Sequence, residues 1–114
     1  EPEVVELMQR NIRANRLEAQ AEAHFLDWLQ PATFFRARRF DLIVAADVLY
    51  EGDGGPFAAA LEAHLAEGAS AYVANHHHAE RCAATLGCLS RLLRAGLRVE
   101  RLEDSDGRAA GSLF

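Results

Sequence analysis

Apolar positions along the chain recur with two different spacings, one typical of helices and the other of strands. Residues 3–16 carry a single apolar stripe at helical spacing, formed by Val4, Val5, Met8 and Ile12. Pro2 suits the first turn of a helix, and the neighbouring acidic residues favour its positive N-terminal end. The pattern therefore predicts a helix over residues 3–16, and a short strand is predicted after it over residues 21–26.

The strongest signal lies at residues 40–48, which read Phe-Asp-Leu-Ile-Val-Ala-Ala-Asp-Val. The run is continuously apolar between its two aspartates and does not alternate with polar residues. Such a strand is expected to be buried on both faces, as in a parallel sheet that helices cover on each side.

Two further helices are predicted downstream of this strand. The first begins at Pro56 and takes Gly68 as its C-cap, with apolar residues four apart at Phe57, Leu61 and Leu65. The second covers residues 79–95 and stops at Gly96. Its inward face is expected to consist of Cys82, Leu86, Leu89 and Leu93.

Strands are predicted over residues 70–74 and 97–102, and a returning strand is predicted to start within residues 109–114. Strands separated by helices indicate an α/β protein with a mostly parallel sheet. In such sheets ligands bind at the carboxyl ends of the strands. That rule selects three places in the chain, which are Asp27-Trp28, residues 46–50 and residues 75–78.

Composition and charge narrow the class of partner. The chain has 114 residues, 12 Lys plus Arg and 17 Asp plus Glu, for a formal charge of −5. An acidic balance disfavours nucleic acid as the main partner, since phosphate binding usually requires a basic surface. No apolar run is long enough to span a bilayer. The two cysteines, Cys82 and Cys88, are not expected to form a disulfide, and a reducing cytoplasm fits best.

Two acidic residues follow predicted strands and could carry chemistry. Asp47 could orient or deprotonate an amine, and the phenol of Tyr50 could bond the same group. Equally, Asp47 could cap a turn while Tyr50 packs at the edge of the core. Asp27 could accept a hydrogen bond from an adenine amino group while Trp28 covers the ring. The alternative here is a turn aspartate and a core tryptophan.

Three adjacent histidines, residues 76–78, follow the third predicted strand. Imidazole is a common ligand of zinc and copper, but neighbouring side chains of a strand point to opposite faces. We therefore predict no metal site. The other two histidines, His24 and His64, are expected at the surface.

Three stretches in order resemble one known family. They are residues 1–15, which end in the pair Asn11 and Asn15, then Leu26-Asp27-Trp28, and then the segment from residue 40 through Asp47-Val48-Leu49-Tyr50. Together they resemble the class I, seven-stranded S-adenosylmethionine-dependent methyltransferases with a D-x-x-Y motif, which include protein-lysine methyltransferases. The resemblance covers residues 1 to about 102.

The resemblance implies a role for each candidate residue. Asp27 and Trp28 would lie at the adenine of S-adenosylmethionine, and Ala46 would line its methionine side. Asp47 and Tyr50 would face the nitrogen that accepts the methyl group, on a protein or a small-molecule amine. His76 would lie near the substrate side of the cleft.

The family's glycine-rich loop and its ribose-binding acid do not occur in this sequence, which has no G-x-G-x-x-G anywhere. The chain is therefore expected to be the C-terminal part of a methyltransferase domain, over residues 1–114. The expected fold is a three-layer α/β sandwich whose Rossmann-like sheet lacks its first two strands. Two alternatives stay open, a non-catalytic α/β interaction module and another Rossmann-like nucleotide-binding transferase.

Overall fold

The computed structural model describes residues 2–49, 52–75 and 82–102, together with the backbone of residues 112 and 113. Strands alternate with helices along the described chain. The elements are α1 Pro2–Ala14, a 3₁₀ turn Pro31–Thr33, β1 Phe40–Ala46, α2 Gly55–His64, β2 Leu65–Asn75, α3 Cys82–Arg94 and β3 Ser112–Leu113. The α/β class predicted from the sequence is confirmed.

The sheet has the strand order β1-β2-β3 within the described residues. β1 runs parallel to β2, and the register runs from Leu42 opposite Ser70 to Ala46 opposite Ala74. β3 pairs antiparallel with the last two residues of β2. The returning strand predicted within residues 109–114 is thus confirmed at residues 112–113, and the carboxyl ends of β1 and β2 lie side by side.

The junction between α2 and β2 differs from its prediction. α2 ends at His64, Leu65 already belongs to β2, and Gly68 lies within β2 with a φ of +75°. The register between β1 and β2 is irregular just there, since β2 places extra residues opposite the start of β1. The prediction of Gly68 as a helix cap is wrong, because its left-handed backbone serves this irregularity instead.

One face of the sheet is covered, and the other is open. Ile43 and Ala45 of β1 pack against a core contributed largely by α2 and α3. On the opposite face, Leu42, Val44 and Tyr72 are 57%, 72% and 45% exposed. The prediction that β1 is buried on both faces is wrong for the described residues. A third layer of the sandwich stays a prediction.

Helix α3 packs largely through small residues, and two of the three leucines predicted to face inward are exposed. Leu86 and Leu93 are 65% and 58% exposed, whereas the buried residues of the helix are Ala84, Cys88 and Leu92. Gly87 lies so close to the loop before α2 that a Cβ there would overlap the carbonyl oxygen of Asp53. The predicted inward face is wrong at Leu86 and Leu93, whereas Cys82 and Leu89 are half-buried. Close backbone approach at Gly87 requires small side chains where the helix meets the loop.

The loop before α2 also has a glycine at its contact with α3. Gly54 has a φ of +69°, and a Cβ there would overlap the carbonyl oxygen of Ala84 and crowd the Cβ of Cys88. No disulfide joins the two cysteines, which are both among the described residues, as the sequence predicts. Burial raises the pKa of the Cys88 thiol to about 11. Cys88 is therefore a packing residue with little thiolate at neutral pH.

Helix α1 forms where the sequence predicts it, but it buries none of its residues. Val5 and Ile12 are half-buried, whereas Val4 and Met8 are 50% and 47% exposed. Two residues after the helix, Arg16 is left-handed, and the Leu17 N–H donates back to the Ile12 carbonyl. Local sequence signals therefore suffice to define α1 without burial of its apolar stripe.

Two predicted strands are not strands among the described residues. Residues 21–26 pair with no other strand, and the His24 ring lies edge-on to Phe35 with 5.1 Å between centroids. Residues 97–102 form only one bridge, at Leu102. Leu97 and Val99 do reach the core, but residues 97–100 and β2 together line an open groove of about 1120 Å³. Alternating polarity is present in this segment, yet a strand also requires a neighbouring backbone to pair with.

His64 is buried, with 4% of its surface exposed, so the prediction of a surface histidine is wrong. Its Nδ1 donates to the Ala60 carbonyl at 2.7 Å, and its Nε2 accepts the Phe35 N–H at 2.9 Å. The rings of Phe34 and Phe35 lie 5.0 Å and 5.6 Å from the imidazole. With both nitrogens paired, a neutral His64 joins the end of α2 to the segment before β1.

Within the described residues, no helix combines the length and the apolar character needed to cross a bilayer.

Replacement of Gly87 by alanine tests the packing of α3. In an unconstrained helix this change stabilises by about 1 kcal/mol. Here we expect the free energy of unfolding to fall by about 1–3 kcal/mol, because the new methyl group overlaps the Asp53 carbonyl. Urea unfolding measures the change. The exposed Leu86→Ala on the same helix is the control and should cost less than about 0.5 kcal/mol. A Gly87→Ala variant as stable as the parent would contradict the close contact.

Replacement of His64 by leucine tests the buried imidazole. We expect a loss of about 1–3 kcal/mol in the free energy of unfolding, because the Phe35 N–H and the Ala60 carbonyl both lose a buried partner. His24 also contacts Phe35, but its side chain is 45% exposed. The matched change His24→Leu should therefore cost less than about 1 kcal/mol. Equal losses in the two variants would refute the assigned role of His64.

Candidate active site

The turn after β1 places Asp47 at the carboxyl edge of the sheet. Asp47 is exposed and has a φ of +56°, a left-handed conformation that is uncommon outside glycine but most tolerable for Asn and Asp. Its N–H donates to the Ala74 carbonyl at 2.7 Å, which ties the turn to the end of β2. Backbone conformations of this kind persist only where surrounding contacts impose them, and they cluster at functional sites.

Asn75, the last residue of β2, holds the same turn from the other strand. Its Oδ1 accepts the N–H groups of Val48 at 3.1 Å and of Leu49 at 3.3 Å. Asn75 is 5% exposed and Leu49 is 1% exposed, so these bonds lie away from water. Among the described residues, the buried Nδ2 of Asn75 has no hydrogen-bond partner. The turn is thus fixed by three hydrogen bonds that leave the Asp47 side chain at the surface.

Asp27 builds a turn of its own. Its Oδ1 accepts the Leu29 N–H at 2.9 Å, and its Oδ2 accepts the Gln30 side-chain amide at 2.8 Å. The Asp27 N–H donates to Thr33 Oγ1 at 2.9 Å. Asp27 is therefore a turn aspartate, which is one of the two roles that the sequence allows for it. A carboxylate oxygen can accept more than one hydrogen bond, so Oδ2 keeps capacity for a further donor.

Trp28 is half-buried beside this turn. Its ring lies edge-on to Phe57, with 5.5 Å between centroids, and packs against the core cluster that also contains Leu49. Val48 packs against the same cluster. The Asp27-Trp28 turn and the turn after Asp47 therefore rest on one common core.

The structure brings part of the predicted site together. Ala46 and Asp47 lie at the end of β1, and Ala46 stands opposite Ala74 in the register. Tyr50 and residues 76–78 lie outside the described residues. No group of His, Cys, Asp and Glu side chains within residues 2–49, 52–75 and 82–102 has the arrangement of a metal site.

This arrangement suits chemistry on a cationic or protonatable group. Asp47 presents a carboxylate at the surface, on a turn that the sheet and the core hold in place. A carboxylate can accept a hydrogen bond from an amine and orient its lone pair. The half-buried Trp28 offers an apolar ring surface of the kind that an aromatic ligand stacks on.

The sequence interpretation selected residues 75–78 as a ligand-facing place but assigned no role to Asn75. The available signal was a short polar residue directly after the apolar Ala71–Ala74 part of β2. A buried asparagine oxygen is expected to accept hydrogen bonds from nearby protein groups, because water does not reach it. Which backbone it bonds depends on the neighbouring strand, and the sequence does not encode that register.

Comparison with known proteins assigns the family. A family model described as lysine methyltransferase matches residues 1–83, which include Asp27, Trp28, Ala46, Asp47 and Asn75. No curated protein and no solved structure matches the chain. The match covers most of the chain and contains the segments on which the resemblance was based. The chain therefore belongs to the lysine methyltransferase family.

Proposed function

We propose that this protein transfers a methyl group from S-adenosylmethionine to an amine, and that its substrate is the side chain of a protein lysine. The observation that carries the proposal is the placement of Asp47. Its carboxylate lies at the carboxyl edge of a parallel strand pair, on a turn held by Ala74 and Asn75. Family membership supports the methyl-transfer chemistry.

Bound S-adenosylmethionine would supply an electrophilic methyl group on a sulfonium. The acceptor must be a neutral amine whose lone pair points at that methyl group. Asp47 would accept a hydrogen bond from the amine, orient it and take up its proton, directly or through water. Positioning of this kind supplies much of the rate of a displacement reaction, because it removes the entropy of bringing the reactants together.

The residues near the first turn fit the adenine end of the cofactor. Asp27 Oδ2 can accept a second hydrogen bond, from an adenine amino group, without giving up the one from Gln30. Trp28 is held edge-on by Phe57, so one part of the indole is fixed while the rest stays accessible. Ala46 is exposed at the end of β1 and leaves room for the methionine side.

We also propose that the groups gripping the methionine and the ribose lie outside these 114 residues. The support is the sequence itself, which contains no glycine-rich G-x-G-x-x-G loop. The chain would then supply the adenine wall and the acceptor side of a larger site. Isothermal titration with S-adenosylmethionine compares the affinity of the isolated chain with that of the natural protein. Micromolar binding of S-adenosylmethionine by the isolated chain, equal to that of the natural protein, would contradict this division.

The change Asp47→Asn tests the role of the carboxylate. We expect kcat for methylation of lysine-containing proteins to fall by about a hundredfold or more, because the amide cannot take a proton from the amine. Radiolabelled methyl transfer with the natural protein measures the rate. Asp41→Asn is the matched control, since Asp41 is also exposed and belongs to β1, the strand that Asp47 follows.

Unchanged methylation by Asp47→Asn would remove the catalytic role of Asp47. It would instead favour a structural role for this turn. A natural protein that transfers no methyl group to any amine would favour the other candidate function, a non-catalytic α/β interaction module.

The change Asp27→Asn tests the adenine contact. The variant keeps an oxygen for the Leu29 N–H but loses the charge, so we expect S-adenosylhomocysteine to bind about tenfold more weakly. Isothermal titration of the natural protein with S-adenosylhomocysteine measures the affinity. Asp53→Asn is the matched control, because Asp53 Oδ1 accepts the Gly55 N–H in a similar turn. Equal affinities for parent and Asp27→Asn would contradict the contact.

A further inference from the structure

Two strands end beside each other at the candidate site, and one side chain joins them. Asn75 ends β2, and its carboxamide oxygen reaches the backbone of the turn that follows β1. We infer that Asn75 is a positioning residue for Asp47, an inference that rests on the proposed function of Asp47. It acts through the turn and touches neither substrate nor cofactor.

The first step is geometric. The Asp47 N–H is tied to Ala74 at 2.7 Å, but one backbone bond leaves the rest of the turn free to rotate. Asn75 Oδ1 adds bonds to the next two N–H groups, at Val48 and Leu49. Three successive N–H groups are thus held by adjacent residues of β2. Together they impose the left-handed backbone at Asp47, whose φ is +56°.

The second step concerns burial. Asn75 is 5% exposed, and its Nδ2 has no partner among the described residues. A buried, unpaired donor is unfavourable, and a position that served packing alone would hold an apolar residue. Val73, two residues earlier on the same face of β2, is such a position and is 1% exposed. The polar side chain at residue 75 is therefore explained by its oxygen, which the turn uses twice.

The third step links the turn to function. The Leu49 side chain is anchored in the core, whereas Asp47 is exposed. Asn75 fixes the backbone between these two residues, so it decides the direction from which the carboxylate meets an amine. Loss of the hydrogen bonds from Asn75 would leave the fold and the cofactor contacts in place but would let the Asp47 carboxylate move. A small misplacement of a catalytic group is enough to lower the rate strongly.

The test compares kinetics of the natural protein with those of an Asn75→Leu variant, which has a similar volume and no hydrogen-bonding oxygen. We expect kcat to fall roughly ten- to a hundredfold while KM for S-adenosylmethionine changes less than about threefold. Val73→Ala is the matched control, because it disturbs the same buried face but removes no hydrogen bond of the turn. An unchanged kcat in Asn75→Leu, or an equal fall in Val73→Ala, would overturn the inference.

Amide hydrogen exchange provides a readout that does not depend on activity. Exchange at Val48 and Leu49 should be at least about tenfold faster in Asn75→Leu, because the acceptor of both N–H groups is gone. Asn75→Asp keeps an oxygen in the same place and should restore slow exchange. Slow exchange in Asn75→Leu would show that residue 75 does not hold the turn.

The two measurements also separate this inference from the proposed function. If the natural protein transfers no methyl group, or if Asp47→Asn is harmless, the proposed function fails. Exchange at Val48 and Leu49 still decides whether Asn75 holds the turn. If Asp47→Asn abolishes transfer while Asn75→Leu leaves kcat intact, the proposed function stands and the positioning role falls.

Discussion

The parallel pairing of β1 with β2 is the interaction on which the site depends. It places Ala46 opposite Ala74, and so brings the end of one strand within hydrogen-bonding reach of the other. A slip of one residue would turn every side chain of β1 to the opposite face of the sheet. The turn after β1 would then be displaced by one residue along β2, so the Asn75 side chain would no longer meet the N–H groups of Val48 and Leu49. Asp47 would also lose its bond to Ala74.

Close packing by small residues fixes what lies beneath the sheet. Gly54 and Gly87 allow α3 to approach the loop before α2 almost backbone to backbone. The approach seals Cys88 and Leu92 into the core that also receives Leu49. Because Val48 and Leu49 follow Asp47 directly, the packing of the helices reaches the candidate catalytic turn through these two side chains. A site on such a support is held more rigidly than one on a free loop.

The two sides of this turn have opposite environments. Asn75 and Leu49 lie out of reach of water, whereas Asp47 and Ala46 are exposed. Hydrogen bonds on the buried side are strong because water does not compete for them. The exposed side leaves the carboxylate accessible to a partner. Trp28 packs against the same core from the chain segment before β1. The candidate adenine contact at Trp28 and the candidate catalytic turn at Asp47 are therefore supported by one core.

The sequence by itself determined the helix α1, the strand at residues 40–46, the α/β class and the family, because periodicity, caps and ordered motifs are local. It placed Asp27, Trp28, Ala46 and Asp47 as candidates for the same reason. Tertiary structure alone decided which face of α3 is buried, that His64 is internal, and that residues 21–26 pair with none of the described strands. Each of these depends on which backbone lies nearby. The role of Asn75 also depends on tertiary structure. The sequence shows which donor and acceptor atoms an asparagine has, but the register of the two strands decides which backbone groups they bond.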